Sequence, residues 1–374
     1  MTQPDATTQP ADDLAHMRAA LALARRGLGT CWPNPAVGCV IVRDGHVVGR
    51  AVTAPGGRPH AETLALAMAG EAALGATAYV TLEPCDHTGR TPPCTQALLT
   101  AGIARVVIAG SDPDPRVNGA GVARLRAAGI AVQTGLLALE ADDMQAGFRS
   151  RIERGRPMVT LKLASTLDGR IATRGGESQW ITAPPARQVA HMLRGTHDAV
   201  MAGAGTVAAD DPLLTCRIPG FRATSVVRIV TDSHLRTRLN ARLVSTARQH
   251  PTWIIHRDGV PADRRAMFED SGVQLIEVPG AEIGIDLHVG LAALAQAGLT
   301  RVLVEGGAQL AAALLRAGLV DRVAWFHAPM VAGGDGWPAA RAFGVTTLDE
   351  MPRFVRTAWR AVGPDILSEY RSAA

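Results

Sequence analysis

His60, Glu62, Cys85 and Cys94 are the residues of this chain whose types and spacing could do chemistry. One imidazole and two thiolates make three soft donors for Zn²⁺, whereas structural zinc sites close with four protein ligands. Three donors leave a tetrahedral position for water, which points to catalysis. Glu62, two residues past the first donor, is placed to move protons rather than to bind metal. The chemistry is hydrolytic: zinc lowers the pKa of its water to about 7, and a neighbouring carboxylate takes the proton and returns it. His87 is the nearby nitrogen that could close the set into a structural site; a hydrogen-bonding or packing role is the alternative.

This H-x-E…P-C…C arrangement is that of zinc-dependent nucleoside and base deaminases. Eight residues separate the two cysteines, where two is the usual spacing, and Gly89 and Pro92-Pro93 shape the longer loop. The segment PCDHTGRTPPC, with HAE upstream and PNPAVG at 33–38, resembles the pyrimidine deaminase of riboflavin biosynthesis. The resemblance implies a cytidine-deaminase-like three-layer α/β sandwich, with Asn34 lining the substrate pocket. Asn34 could equally be a turn asparagine. Arg90, inside the zinc loop, could grip a ribose phosphate or be a solvated loop cation. Asp114 replaces an asparagine more usual in that family's DPNP loop.

Several elements must position these residues. Leu14, Met17, Leu21 and Leu28 recur at helical spacing, with Gly27 and Gly29 as the stop. Strands are expected at 37–42 and, past an Asp44-Gly45 hairpin turn, from Val47. A helix from about His60 to Ala69, with Pro59 in its first turn, leads to a strand at 78–82 and Cys85. Cys94 opens a helix to 101; a strand at 105–109, a helix to Ala128 and a strand at 130–134 complete the alternation. That alternation reads as helices layered on a sheet, and it places the donors between two helix N-termini, where thiolate is favoured.

The chain has 374 residues, which makes two domains the expectation. RSRIERGRP predicts a linker at 150–157, between a deaminase domain at 13–149 and a second domain at 158–374; residues 1–12 read as a disordered tail. In the second domain, strands are expected at 158–164, 198–202, 226–231, 252–256, 273–278, 301–304 and 322–327, with a helix at 184–194. Gly203-Ala204-Gly205 lacks a full dinucleotide fingerprint. Val302–Ala308 is a better anion cradle: a strand, two glycines, then a helix.

LKLASTLDGR, GESQWIT, TVAADDPLLTCR and VEGG occur in this order over 157–330 and resemble the riboflavin-pathway reductase. In the deaminase family named above, such a reductase is usually fused to the deaminase. The resemblance implies a dihydrofolate-reductase-like domain that uses NADPH. It implies Ala164, Trp180, Thr206, Asp210 and Ser233 beside the cofactor, with Gly306, Gly307 and Ala308 at its phosphates. Ser178, Arg194, Leu214, Arg217 and Glu305 would face the substrate. Thr166 and Thr231 depart mildly from the family pattern. Lys162 is the one lysine among 38 Lys and Arg residues, so its ammonium reads as kept for a purpose, and with Asp168 it is a candidate for orienting the sugar.

Composition narrows the rest. Residues 1–150 carry 12 basic and 13 acidic side chains, net −1; the remainder carries 26 and 21, net +5. A mildly basic second half suits a phosphorylated small molecule rather than a nucleic-acid groove, and 4% aromatics make no stacking platform. No signal peptide or apolar span is evident, so a cytoplasmic protein is expected. Cys31, Cys39 and Cys216, outside the donor set, read as buried small hydrophobes. The reading is therefore a bifunctional enzyme using Zn²⁺ and NADPH on a phosphorylated pyrimidine, working as a homo-oligomer, with neither nucleic acid nor membrane as partner. The rivals are a monofunctional deaminase with an inactive reductase-like domain, a nucleic-acid base deaminase, and a protein whose zinc only staples the fold.

Overall fold

A computed structural model describes residues 10–89, 92–221, 226–282 and 284–373 and separates into two compact units, Met1–Arg154 and Gly155–Ala374. In chain order the first unit holds α1 (Pro10–Gly27), β1 (Gly38–Arg43), β2 (His46–Val52), α2 (Ala61–Ala69), β3 (Thr77–Leu82) and α3 (Cys94–Thr100). It continues with β4 (Arg105–Gly110), α4 (Ala120–Ala127), β5 (Ala131–Thr134), α5 (Ala138–Met144) and α6 (Ala146–Arg154).

Among the described residues the strands form one five-stranded sheet, β2-β1-β3-β4-β5, parallel from β3 to β5. Strand side chains alternate between faces, and the buried residues divide accordingly. Cys39, Ile41, Ala78 and Val80 pack with Ala61 and Ala65 of α2 and Leu98 of α3. Val40, Val42, Tyr79 and Val107 pack with Met17 and Leu21 of α1. This is the three-layer sandwich expected. Asp44 and Gly45, at φ 49° and 75°, make the hairpin turn. Gly38 is needed where α1 crosses β1: a Cβ there would lie 1.9 Å from the Ala20 carbonyl oxygen.

The two units divide within the expected 150–157 stretch. Helix α6 runs through to Arg154 and the units divide at Gly155, because Phe148 and Ser150 are buried while charged Arg149, Arg151 and Arg154 take the outer positions. Residues 1–9 of the expected tail lie outside the described residues, and 10–12 begin α1. Pro59 precedes α2 rather than entering its first turn, since His60 is the N-cap.

The second unit runs β6 (Met158–Ser165), β7 (Arg170–Ala172), α7 (Pro184–Gly195), β8 (Ala199–Gly203), α8 (Ala204–Asp210), β9 (Val227–Thr231), α9 (Arg242–Ser245), β10 (Thr252–Arg257) and α10 (Ala262–Asp270). It continues with β11 (Gln274–Val278), α11 (Leu287–Gln296), β12 (Arg301–Glu305), α12 (Ala308–Arg316), β13 (Arg322–His327), β14 (Trp337–Pro338), β15 (Phe354–Val362) and β16 (Asp365–Ser372). Among the described residues the main sheet has nine strands in the order β11-β10-β9-β8-β12-β6-β13-β16-β15. Seven are parallel, and an antiparallel hairpin, β15–β16, closes one side. The chain leaves β6, skips the place later filled by β12, and continues at β8. In open sheets of this kind, ligands bind outside the carboxyl ends of the strands where the order switches.

Gly203-Ala204-Gly205 opens α8, with Gly203 as its N-cap. The β15–β16 hairpin was not anticipated.

His197, 4% exposed, bonds the Leu193 carbonyl (2.7 Å) and the Thr160 hydroxyl (2.9 Å). Burial drives its pKa down to about 3. The unfolded chain therefore takes up a proton near pH 6.5 that the folded one refuses, and stability falls as pH drops through that value toward 3. Denaturant unfolding of the reductase unit should lose about 2 kcal/mol between pH 7 and pH 5 on this account, and His197→Leu should flatten the loss.

Candidate active sites

The sheet of the first unit carries Cys85 just past the end of β3, and α2 and α3 supply the other donors from their first residues. His60 caps α2 in extended conformation (φ −70°, ψ 158°), which turns its ring toward the thiols. His60 Nδ1 lies 3.3 Å from Cys94 Sγ and 3.7 Å from Cys85 Sγ, and the three donor atoms lie within 4.8 Å of one another. Tetrahedral zinc with N and S ligands requires N–S edges of about 3.6 Å. The donor set therefore fits the ion in chemistry and in spacing.

The Cys94 N–H, at the start of α3, points at Cys85 Sγ (3.4 Å). The Cys94 thiol hydrogen bond, then the His60 ring, hold the Cys85 thiol down to about 4, while the same bond pushes Cys94 up.

Glu62 is 3% exposed in the first turn of α2, and its Oε2 has no hydrogen-bond partner among the described residues. Burial raises its pKa and the His60 charge opposes the rise. A buried carboxylate oxygen left unpaired is costly unless something else completes it. His87 is not part of the donor cluster found among the described residues, so the fourth ligand that a purely structural site needs is missing there.

Sequence reasoning missed the residues that hold this loop. Glu83 accepts from the N–H groups of Gly119 (3.0 Å) and Val122 (3.1 Å) and so caps α4. Asp86 accepts from the Thr95 hydroxyl (2.5 Å) and Arg124 (2.9 Å), bracketing the segment between the cysteines. Neither partnership has a local signal. Asn34 donates to the Gly57 carbonyl (2.9 Å), bracing the turn before His60. Asp114 pairs with Arg116 (2.9 Å) inside its own loop. Arg90 lies outside the described residues.

In the second unit the carboxyl ends of β9, β8, β12 and β6 collect most of the expected reductase residues. Glu305 ends β12 and faces Lys162 across the β6 pairing. Arg194 of α7 grips Glu305 through both nitrogens of its fork, at 2.6 and 2.8 Å. Burial alone would raise the Glu305 carboxyl, but Arg194, then Lys162, bring it down to about 2. The Lys162 ammonium stands 5.7 Å from the centre of the Phe326 ring, and burial lowers its pKa. Ala164 pairs with Phe326 two residues further along β6.

Gly306 and Gly307 take φ of 82° and 70° before α12, and a Cβ on either would meet the Thr206 side chain within 3.0 Å. Two helix starts, α8 and the turn into α12 at Ala308, are thereby brought together, as an anion site requires. Asp210 closes α8, where burial raises its pKa and a bond from Gln179 opposes the rise. Trp180 next to it is 64% exposed, which excludes a core role, and Arg187 lies 4.4 Å over its ring. Ser178 shares that loop, and Ser233 follows β9.

One expectation changes in detail. Leu214 is 3% exposed and belongs to the core, so its backbone rather than its side chain is free to face a ligand. Asp168 accepts from Thr166 Oγ1 (2.5 Å), Ala332 N (3.1 Å) and Gly333 N (2.8 Å). The Thr166 bond, foremost, holds its pKa down to about 2. Both of its oxygens accept from the 332–333 turn and so fix it.

Comparison with known proteins agrees with this geometry. Residues 157–368 match the RibD C-terminal domain family, and residues 10–110 match the cytidine and deoxycytidylate deaminase zinc-binding region. The riboflavin biosynthesis protein RibD of Escherichia coli K12 is 43% identical over 365 residues, 95% of this chain and 98% of that protein. RibD of Acinetobacter baumannii superposes with a TM-score of 0.88 at 37% identity, covering 98% of this chain and 100% of that one. A Thermotoga maritima protein described as a diaminohydroxyphosphoribosylaminopyrimidine deaminase/5-amino-6-(5-phosphoribosylamino)uracil reductase reaches 0.84 at 32% identity, over 97% and 99%. The chain therefore belongs to the RibD family of riboflavin biosynthesis, in which a zinc-dependent deaminase unit and an NADPH-dependent reductase unit share one polypeptide.

Proposed function

We propose that the first unit hydrolytically deaminates 2,5-diamino-6-(5-phosphoribosylamino)pyrimidin-4-one and that the second reduces the ribosyl group of the product to ribityl. Zinc held by His60, Cys85 and Cys94 would supply a Lewis acid and an acidified water. Glu62 accepts the proton of the attacking water and passes it to the ring nitrogen; it then takes the second proton, from the hydroxyl now on the ring carbon, and delivers it to the amine, which leaves as ammonia as the carbonyl forms. Burial suits Glu62 to both halves of that transfer because it brings the carboxyl's pKa nearer to neutrality. The single observation that carries the reading is this unpaired, buried carboxylate oxygen beside three donors at zinc spacing.

In the second unit NADPH would supply the hydride. Thr206, Gly306, Gly307 and Ala308 hold its phosphates, while Ala164, Trp180, Asp210 and Ser233 flank the rest. Arg194, Arg217, Ser178 and the Leu214 backbone receive the phosphorylated substrate, and Asn34 and Arg90 serve it in the first unit. Lys162, its ammonium made more acidic by burial, donates a proton to the oxygen of the opened sugar, with Glu305 fixing the amine in place.

The test follows ammonia release and NADPH oxidation separately in the purified chain. Ammonia first, with NADPH consumed only after deamination, is the expected order. NADPH consumption without prior deamination would contradict it.

A homo-oligomer is part of the proposal. Edge strand β15 is exposed along nearly its whole length, with Trp359 at 64% and Val355 at 49%, and bare edges of this kind recruit another strand. Light scattering that finds monomers at micromolar concentration would remove this part.

A further inference from the structure

The loop that carries Arg217 begins in a strained conformation. Leu214 has φ 51°, in the left-handed region where a side chain is disfavoured. Such a conformation persists where its surroundings over-determine it, and it concentrates at ligand-handling sites. Three contacts do so here. The Leu214 side chain is locked in the core, Arg194 Nη1 donates to the Thr215 carbonyl (3.0 Å), and the Arg217 N–H donates to His191 Nδ1 (3.3 Å). His191 and Arg194 sit three residues apart on α7 and so share one face. Arg194 does double duty because it also holds Glu305.

We propose that His191 is a positioning residue of the reductase, holding the Leu214–Arg217 loop so that the Arg217 guanidinium meets the substrate phosphate. The inference rests on the reading that Arg217 faces the substrate. A backbone N–H can only donate, so Nδ1 must be the unprotonated nitrogen and the hydrogen sits on Nε2. The groups facing the ring favour this state. Burial acts first, then the charges of Arg194 and Arg217; Glu305 and the Thr215 backbone pull the other way. Protonation at Nδ1 would replace the acceptor with a donor, release the loop and place a third cation beside two guanidiniums.

Steady-state NADPH oxidation by the full chain, with the deaminated phosphorylated substrate, tests the idea. H191A should raise KM for that substrate about fivefold, the worth of one hydrogen bond, with kcat within about twofold. H191N, whose Oδ1 can accept the same N–H, should restore KM. Wild-type KM should climb as pH falls from 8 toward 5.5, and H191N should follow only the part due to the substrate's own phosphate, which titrates near pH 6. Unchanged KM in H191A, or equal losses of kcat, NADPH affinity and melting temperature in H191A and H191N, would overturn the proposal. R217Q is measured alongside. If its KM stays at the wild-type value, the substrate reading of Arg217 falls and takes this inference with it. If R217Q raises KM and H191A does not, the inference alone falls.

Discussion

Glu62→Gln, purified with its metal in place, should release ammonia about 10³-fold more slowly than the wild-type chain, within the range usual for losing a positioned general acid–base. Glutamine matches the side chain in size and keeps one oxygen, so α2 and the donor set survive, but the amide cannot carry a proton back and forth. NADPH oxidation on substrate supplied already deaminated should be untouched. Zinc content by elemental mass spectrometry separates this effect from loss of the ion. Glu62→Gln should retain one zinc per chain, while Cys94→Ser should lose it, since the serine hydroxyl is a poor zinc ligand at neutral pH. A Glu62→Gln rate within tenfold of wild type would remove Glu62 from the proton path.

The second large effect is expected at Lys162. Lys162→Met preserves most of the stem that packs near Phe326 and leaves the Arg194–Glu305 pair intact. NADPH oxidation should drop about 10²- to 10³-fold, with ammonia release and NADPH affinity unchanged. Glu305→Gln should behave differently. It leaves the Arg194 guanidinium without its carboxylate, and removing one partner of a buried pair costs about 3–5 kcal/mol, so the reductase unit should melt earlier as well as lose activity. Lys162→Met with kcat/KM within threefold of wild type would refute the proton-donor role.

Much of the first site was legible because its information is local. His60 and Glu62 sit two residues apart at a helix start, and Cys85 and Cys94 lie at a strand end and a helix start. Near-continuous buried runs in 38–43 and 77–82 mark strands covered on both faces of the sheet. The residues that escaped sequence reasoning act through distant partners. Glu83 needs a helix that begins 37 positions later, and Asp86 needs Arg124, 38 positions away. The turn that Asp168 braces, 164 and 165 positions on, likewise leaves no local trace. Charge counting misled in one place. Arg228 belongs to the basic excess of the second half, yet it is fully buried and donates to the Thr246 and Thr252 hydroxyls and to the carbonyls of Leu243 and His250. It is a structural cation, and burial lowers its pKa to about 10. The α6 helix was obscured by its arginines, which mask a short buried stripe.

The solitary lysine has a practical consequence. Apart from the chain's own α-amino group, an acylating reagent meets one aliphatic amine in 374 residues, and that amine sits on β6 opposite Glu305 of β12. A single mass increment on the intact chain would then report how accessible Lys162 is, and its rate of appearance would become a clock for whatever covers that amine.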